Sequence, residues 1–332
     1  MKRPFDPREQ SKGRTRPSTV RPYQMRDDLT LAVNVALVCE RPLLLMGESG
    51  TGKSTLARYV AWCLERDYLE HVITSRTSAE DLKWRFDAVR RLQAARTDEQ
   101  LGGEADQRFV TPGVLWHAFD PDGALAIRDA SPSARRGGNA LSASREHYGD
   151  RGAVVLLDEI DKADPDVPND LLVTLDARWF HCADLDRSVS AAKDRKILVL
   201  ITSNQERELP RAFVRRCIVT TLPRHSSAER REIAGLHRAG VSPFLLDRVD
   251  EVFKRMENAA RDASVPPPST AEYLDAVNAC LGLEINGFGP EAPSDPARAA
   301  ELEAALDAAV ETTLWKQGRV AKPEVTGTAA VQ

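Results

Sequence analysis

The sequence predicts a three-layer α/β domain built on a parallel β-sheet, followed by a smaller domain made only of helices. Two observations predict this arrangement. Five short apolar runs, each typical of a buried strand, alternate with helical patterns up to about residue 222. After Pro223 the pattern is helical only, in stretches that cover residues 228–239, 243–262 and 270–281.

Each element of the first domain follows from a local pattern. A helix over 26–39 leads into the sheet, and a second helix, capped by Asp164 with Pro165 at its first position, runs to Leu175. The runs 178–182 and 187–190 predict a hairpin. The predicted strands lie at 42–46, 71–75, 153–157, 196–202 and 217–222.

Two further amphipathic patterns lie outside these strands. Residues 79–96 predict a helix with one apolar face, made of Leu82, Phe86, Val89 and Leu92. A final helix begins at Pro296 and carries an apolar stripe made of Leu302, Leu306, Val310 and Leu314.

Composition indicates an ordinary soluble globular protein, with 42% hydrophobic and 29% charged residues. The formal net charge of -4 gives no global signal for nucleic acid or membrane. Five scattered cysteines without paired spacing indicate reduced, mostly buried thiols, and therefore a cytoplasmic location. No apolar run approaches the roughly 20 residues that span a bilayer, and no secretory signal begins the chain.

Three segments lack strong periodicity. Residues 1–21 are basic and rich in Pro, Ser and Thr, so we expect a disordered tail, and a basic arm that touches nucleic acid is the less favoured interpretation. Residues 120–151 have few apolar anchors and several arginines, which predicts a long mobile loop. The end of the chain, 319–332, is also expected to be disordered.

Residues 47–54 fit the pattern G-x-x-x-x-G-K-[ST], the P-loop. A predicted strand precedes the motif and a helical pattern over 55–65 follows it, which is the context that the motif requires. Its glycines let backbone N–H groups approach phosphate oxygens, and the helix N-terminus adds its positive dipole end. Lys53 is expected at the β- and γ-phosphates and the Ser54 hydroxyl on Mg²⁺. The predicted nucleotide-binding residues are Gly47, Glu48, Ser49, Gly50, Thr51, Gly52, Lys53, Ser54 and Thr55.

Two acids, Asp158 and Glu159, directly follow a buried apolar strand. Ligands of open parallel sheets bind beside the C-terminal ends of the strands, so both carboxylates are expected at the phosphate site. Asp158 is expected to hold Mg²⁺, directly or through water, beside Ser54. Glu159 is expected to polarise the attacking water as a general base. A lone Asp-Glu pair more often forms a solvated turn, and the strand before it favours the functional interpretation.

Two more polar groups fit the same chemistry. Asn204, at the end of the 196–202 strand, is expected to hydrogen-bond the attacking water or the γ-phosphate, although an Asn is also common in strand-to-loop turns. Arg215 and Arg216 follow twelve residues later, and an arginine supplied by a neighbouring subunit can stabilise transition-state charge. Paired arginines more often form a solvated surface, so their position alone does not assign this role.

The ordered set of segments 47–54, 154–159, 201–204 and 209–216 resembles the AAA+ ATPases. Within them the sequence resembles the MoxR branch. That finer resemblance depends on residues 156–164, Leu-Leu-Asp-Glu-Ile-Asp-Lys-Ala-Asp, and on residues 202–210, Thr-Ser-Asn-Gln-Glu-Arg-Glu-Leu-Pro. The likeness spans about residues 22–285.

The resemblance implies an ATPase that uses ATP and Mg²⁺ and assembles into a ring, usually a hexamer. It implies that Asn204 is the sensor 1 residue and Arg216 the arginine finger, with Arg215 as its neighbour or substitute. The 178–193 hairpin would match the insertion before the sensor 1 strand, and the 79–119 region would hold the insertion in the second helix. MoxR-like proteins resemble chaperones that remodel partners, often one with a metal-binding von Willebrand factor A domain.

The same resemblance gives a domain organisation. An αβα nucleotide-binding domain is expected at 22–222, a helical lid at 223–285, and a linker with the C-terminal helix at 286–318. One departure stands in the lid, where residues 266–274 contain no arginine at the position of the family's sensor 2 residue. Either another lid arginine, such as Arg248, takes that role or lid closure is not coupled to the nucleotide in the usual way.

Three other functions compete with a ring-forming ATPase. A small-molecule kinase shares the P-loop, but Glu159 directly follows Asp158 as a water activator and the lid is C-terminal rather than inserted. A GTPase fits less well, because Asp161-Lys162-Ala163-Asp164 begins with Asp where guanine recognition uses Asn. The third is a nucleotide-gated binding switch that hydrolyses slowly and recruits an effector.

Overall fold

The computed structural model describes residues 4–96, 103–130, 144–238, 240–283 and 296–314, and these form two compact units. The first unit comprises the described residues up to 48 and from 53 to 222. The second comprises residues 49–52 and the described residues from 223 onwards. The predicted tail at 319–332 and most of the predicted linker after 286 lie outside the described residues.

The first unit is built on β-strands that pair mostly in parallel. Its strands in the described part of the chain are β1 (Leu43–Met46), β2 (Asp67–Val72), β3 (Trp84–Phe86), β4 (Val110–Pro112), β5 (Ser144–Glu146), β6 (Ala153–Asp158), β7 (Trp179–Cys182), β8 (Arg187–Ser190), β9 (Ile197–Ser203) and β10 (Ile218–Thr221). The central sheet has the order β10-β1-β9-β6-β2-β5, in which only β5 runs antiparallel to its neighbour. Strands β3 and β4 form one hairpin-like pair and β7 and β8 form the predicted hairpin.

Helices cover both faces of this sheet. The helices of the first unit in the described residues are α1 (Pro7–Gln10), α2 (Asp27–Cys39), α3 (Lys53–Leu64), α4 (Ala88–Arg96), α5 (Val114–Phe119), α6 (Pro121–Ala130), α7 (Val167–Ala177) and α8 (Arg211–Arg216). Strand β6 shows why two helical layers are needed. Its Val154 and Leu156 pack with α2 and α3, whereas Val155 and Leu157 pack with α5, α7 and α8 on the opposite face. The predicted three-layer α/β fold is therefore confirmed.

The second unit is helical, with α9 (Ser227–His237), α10 (Pro243–Asp262), α11 (Thr270–Gly282) and α12 (Pro296–Leu314). Ser226 and Ser269 cap α9 and α11 through complete capping boxes. The C-terminal helix α12 shares the core of this unit, because Leu306, Val310 and Leu314 are buried against α10 and α11. The side chain of Leu302 lies outside the described residues.

Charged groups also tie the helices of the second unit together. Arg230 and the fully buried Asp250 form an ion pair at 3.0 Å, and the Arg230 guanidinium lies 4.1 Å from the ring centre of Phe253. Arg248 donates two hydrogen bonds of 3.0 Å to the carboxylate of Asp307 on α12. This bidentate pair holds α10 to α12, which gives Arg248 a structural partner within its own unit.

Two expected elements of the first unit differ from the structure. The second strand covers Asp67–Val72 rather than 71–75, because Asp67 to Val72 pair in register with β6. Residues 79–96 do not form one amphipathic helix. Pairing of β3 with β4 keeps the chain extended over Trp84–Phe86, and on α4 Val89 and Leu92 are 67% and 65% exposed. Tertiary pairing here overrides the local helical pattern.

The expected mobile loop at 120–151 is largely wrong for the residues that the structure describes. Helix α6 occupies Pro121–Ala130 and buries Ala124 and Ile127 completely. Strand β5 extends the sheet along β2, and Arg145 forms an ion pair of 3.0 Å with the buried Asp67. Residues 131–143 lie outside the described residues.

Helix α7 begins later than its cap pattern predicts. Residues Ile160–Lys162 form a 3₁₀ turn, and α7 starts at Val167, with Asp166 at the N-cap and Pro168 in the first turn. Asp164 instead accepts a hydrogen bond from the backbone N–H of Asp166. The helix therefore uses Asp166 and Pro168 at its start rather than the predicted Asp164 and Pro165.

The N-terminal segment is docked rather than disordered from residue 4 onwards. Phe5 and Val20 are buried in the same core as α2 and α3. The side-chain amide of Asn34 accepts a hydrogen bond from the backbone N–H of Phe5 and donates one to its carbonyl oxygen, both at 2.8 Å. The basic composition of this segment predicted disorder, but at least one of its cations packs on the folded domain. Arg14 lies over the ring of Trp62 and donates a hydrogen bond to the carbonyl oxygen of Trp62.

Replacing Asn34 with Ala should lower the free energy of unfolding by about 1–3 kcal/mol, because the buried N–H and C=O of Phe5 would lose their partner. Urea-induced unfolding followed by circular dichroism measures this change. Asn169→Ala, at an exposed position on α7, is the matched control and should change stability by less than about 0.5 kcal/mol. Equal stability of the Asn34→Ala variant and the parent protein would contradict docking of the N-terminal segment.

Candidate functional site

The order of the central strands brings the predicted site residues to one edge of the sheet. Strand β9 lies between β1 and β6 and is parallel to both, so the C-terminal ends of all three are neighbours. The glycine-rich loop follows β1, Asp158 and Glu159 stand at the end of β6, and Asn204 follows β9. Ligand sites of open parallel sheets lie at this edge.

The glycine-rich loop needs glycine at two described positions for different reasons. A side chain on Gly47 would place its Cβ 2.5 Å from the carbonyl oxygen of Leu222, which is closer than van der Waals contact permits. Gly52 has φ of 88°, in the left-handed region that residues with a Cβ rarely adopt. Lys53 then begins α3, and Ser54 and Thr55 lie in its first turn, as the P-loop pattern predicts.

The ammonium of Lys53 is held in a largely buried position, with 6% of the residue exposed. It donates to the carbonyl oxygens of Gly47 and Glu48 at 2.6 and 2.8 Å and to the side-chain oxygen of Asn204 at 2.8 Å. Burial lowers its pKa below the usual range, and the nearby carboxylates of Asp158, Asp161 and Glu159 oppose that shift. Lys53 is therefore a cation held in a fixed position against the glycine-rich loop.

Two hydroxyl groups converge on the carboxylate of Asp158. The Ser54 hydroxyl donates to Oδ2 at 2.8 Å, and the Thr202 hydroxyl donates to Oδ1. Thr202 also accepts a hydrogen bond of 2.9 Å from the backbone N–H of Glu159. One side chain of β9 thus fixes both acids at the end of β6.

The carboxylate of Glu159 has a partner on each oxygen. The side-chain amide of Asn204 donates to Oε1 at 3.1 Å, and the ammonium of Lys162 donates to Oε2 at 2.7 Å. The hydrogen bond from Lys162 to Glu159 raises the pKa of the lysine, which stays protonated. Glu159 itself has φ of 63°, an uncommon left-handed conformation for a residue with a side chain.

The loop after β9 is anchored by a buried acid. Asp161 is 3% exposed and accepts hydrogen bonds from the backbone N–H groups of Asn204 and Glu206, at 3.3 and 2.9 Å. It therefore fixes the backbone that carries Asn204. Asp161 therefore has a structural role, and its carboxylate is engaged by the backbone rather than placed to recognise a guanine base.

Arg215 and Arg216 lie apart from this cluster, in the last turn of α8. No hydrogen bond or ion pair within the described residues joins either side chain to Lys53, Ser54, Asp158, Glu159 or Asn204. The guanidinium of Arg41 donates to the carbonyl oxygens of both arginines and so fixes the end of α8. Among the residues that the structure describes, the side chain of Arg216 forms only an exposed ion pair of 3.8 Å with Asp176.

Sequence reasoning missed two members of the cluster. Thr202 was assigned only to a strand and Lys162 only to a motif, although both contact the acids directly. The sequence does contain signals for them. Thr202 is the last but one residue of the strand that precedes Asn204, and Lys162 lies one turn after Glu159.

The donor set is suited to a magnesium ion and phosphates. Ser54 Oγ and Asp158 Oδ2 are adjacent oxygen atoms, and Mg²⁺ in nucleotide sites is bound through one or two such protein ligands together with water and phosphate oxygens. Lys53 adds a cation and the start of α3 adds free backbone N–H groups, both of which favour phosphate. The residues present therefore fit both groups.

No helix in the described ranges has the length and apolarity needed to cross a membrane.

Comparison with known proteins agrees with this architecture. Residues 42–225 match the family described as AAA domain (dynein-related subfamily). No curated protein matches the chain. A solved structure from work on the structural basis for katanin self-assembly is 15% identical, with a TM-score of 0.40, and the match covers 88% of this chain and 81% of that chain. The family match spans β1 to β10 and includes every predicted site residue, so the chain belongs to the AAA domain family.

Proposed function

We propose that this protein is a MoxR-like AAA+ ATPase that hydrolyses ATP at the subunit interfaces of a ring and remodels a partner protein. One observation carries the proposal. Lys53, Ser54, Asp158, Glu159 and Asn204, from three separate segments, are joined with Thr202 in a continuous hydrogen-bonded cluster at the ligand-binding edge of the sheet. A phosphate-binding cation, a pair of magnesium ligands and a candidate base meet there, which hydrolysis of a nucleotide requires.

Nucleotide binding is assigned to residues 47–55. The Lys53 ammonium, now bound to backbone carbonyl oxygens and Asn204, would exchange these partners for β- and γ-phosphate oxygens. Ser54 and Asp158 would hold Mg²⁺, which when bound neutralises charge on the phosphate oxygens.

Water activation is assigned to Glu159. Its carboxylate accepts a proton from the attacking water, and Asn204 orients the carboxylate through a hydrogen bond of 3.1 Å. Because Asn204 also bonds Lys53, the same amide links the phosphate-binding cation to the base. When Lys53 exchanges its bond to Asn204 for one to a phosphate oxygen, the hydrogen bond from Asn204 to Glu159 would therefore change as well.

Ring assembly is supported by the position of Arg215 and Arg216. Both are exposed, and neither reaches the cluster of its own chain, so a role in hydrolysis requires a second subunit. Arg41 anchors the backbone of α8, which lets these side chains project from a fixed support. A protein substrate, including one with a von Willebrand factor A domain, is the partner class that the MoxR resemblance supports.

A nucleotide-gated switch with slow hydrolysis is the second candidate. The observation in its favour is that both oxygens of Glu159 are engaged, by Asn204 and by Lys162. The ammonium of Lys162 competes with water for Oε2, which favours slow hydrolysis while this contact is present. Turnover measured with and without a partner separates the two functions, and phosphate release without an acceptor excludes a kinase.

Lys53→Ala should weaken nucleotide binding at least about tenfold, because the charge-assisted contact to the β- and γ-phosphates is lost. Isothermal titration with ATP and magnesium measures the affinity. Lys193→Ala, which removes an exposed lysine elsewhere in the same unit, is the control and should bind ATP like the parent protein. Unchanged affinity in Lys53→Ala would contradict the assignment of the P-loop.

Glu159→Gln should bind ATP with parental affinity and lose at least about 10²-fold in hydrolysis, since the amide cannot accept a proton from water. Single-turnover release of phosphate measures the chemical step. Glu40→Gln, at an exposed position after α2, is the matched control and should keep full activity. A Glu159→Gln variant that hydrolyses ATP at the parental rate would show that another group is the base.

Arg216→Ala should bind ATP nearly normally but hydrolyse it about 10³-fold or more slowly, the range typical of arginine fingers. Mixing Arg216→Ala with Glu159→Gln should restore part of the activity, because a mixed interface has one intact Glu159 and one intact Arg216. Mixing Lys53→Ala with Glu159→Gln is the control and should stay inactive, since both defects lie on the same side of the interface. Failure of the first mixture to recover activity in mixed rings would contradict action between subunits.

A further inference from the structure

A cavity of about 530 Å³ lies between the end of β1 and α8, outside the cluster described above. Its walls combine apolar and cationic groups. Met46, Leu209 and Val214 supply the apolar surface, and three arginines supply the charge, namely Arg207, Arg211 and Arg215. Its volume falls in the range that holds a small ligand or a few residues of a peptide.

The three arginines of this cavity have no anionic partner among the residues that the structure describes. All are exposed, and within the described residues none of their side chains forms a hydrogen bond or an ion pair. Arg211 and Arg215 are four residues apart on α8, where like charges repel each other. Of the described residues that line the cavity, Glu208 is the only acid. The cavity therefore has an excess of positive charge that a bound anion would relieve.

A smaller cavity of about 320 Å³ adjoins the first, because residues 207–209 and Arg211 line both. Its surface is largely apolar and rich in proline, with Ile160, Ala163, Pro165, Pro168, Leu209 and Pro210. Three acids also line it, Asp161, Asp164 and Glu208, and of these Asp161 is 3% exposed and already accepts two backbone hydrogen bonds. Next to the arginine-lined cavity there is thus a compartment suited to an apolar side chain.

We propose that the two cavities form one groove that binds an acidic peptide segment of a partner protein, with an apolar residue beside its acidic ones. The acidic side chains would pair with Arg207 and Arg211, Arg215 being left to the subunit contact proposed above, and the apolar side chain would enter the proline-lined compartment. Two adjoining compartments of different chemistry fit an extended chain with mixed side chains better than a small phosphorylated ligand, which would leave the apolar part unused. The inference rests on the part of the proposed function that gives this protein a protein partner.

Fluorescence anisotropy with a short labelled peptide of alternating glutamate and leucine tests the groove. The full chain should bind this peptide, and higher salt should weaken the binding because the contacts are ionic. A peptide with glutamine in place of glutamate and one with alanine in place of leucine should each bind more weakly. Inorganic tripolyphosphate serves as a competitor. If it displaced the peptide completely and bound the parent protein as tightly as the peptide does, the groove would be a phosphate site and the peptide assignment would be wrong.

The decisive variant is the double charge reversal Arg207→Glu with Arg211→Glu. It should weaken peptide binding at least about tenfold, because two attractive contacts become repulsive. The matched control reverses Arg8 and Arg21, two exposed arginines of the same unit, and should leave peptide affinity unchanged. Equal affinity in the groove variant and the parent protein would overturn the proposal, as would an equal loss in the control.

Two further readouts separate this groove from the nucleotide site and from self-association. The Arg207→Glu, Arg211→Glu variant should bind ATP with parental affinity, and the Lys53→Ala variant should still bind the peptide. Peptide binding that survives in Lys53→Ala would support the groove even if the protein proved not to hydrolyse ATP. If the double reversal changed only the sedimentation coefficient and left peptide affinity intact, the groove would be a contact between copies of this chain, and the proposal would be wrong.

Discussion

The parallel alignment of β1, β9 and β6 is the constraint on which the rest of the structure depends. Each of these strands is buried on both faces, so its apolar residues fix its register and its neighbours. Once that register is set, the residues that follow the strands have to meet at one edge. Segments more than 100 positions apart in the chain thereby form hydrogen bonds of 2.8 Å, as Ser54 and Asp158 do.

Charge balance explains how this edge tolerates a largely buried cation. Lys53 is compensated by carbonyl oxygens and by three nearby carboxylates. Two of these acids are fixed by the Thr202 hydroxyl, which donates to the carboxylate of Asp158 and accepts from the backbone N–H of Glu159. Asn204 stands between Lys53 and Glu159 and bonds both. The site is a connected network rather than a set of independent side chains, so a change at one member is felt by the others.

The charged groups of residues 207–216 differ from this network, because most of them have no bonded partner in the described part of the chain. There the arginines are exposed, and in the described part of the chain Arg207, Arg211 and Arg215 form no side-chain hydrogen bond or ion pair. Arg41 holds the backbone at the end of this stretch, and Asp161 holds the backbone just before it, at Asn204 and Glu206. Exposed ion pairs contribute little to folding, so these cations do not stabilise the chain that carries them. Their arrangement is better explained by contacts with other molecules, which our proposals assign to a neighbouring subunit for Arg216 and to an acidic peptide for the groove.

The sequence by itself determined the α/β fold, the P-loop and the acids after β6, because these depend on local patterns: continuous apolar runs, glycines and a helix start within a few residues. Only the tertiary structure decided the rest. It placed Thr202 and Lys162 in the site and docked Phe5 on the core through Asn34, and it turned part of residues 79–96 into a strand. These outcomes arise from partners distant in the chain, such as β4 for β3, whose contribution outweighs local propensity and cannot be seen in any short window of sequence.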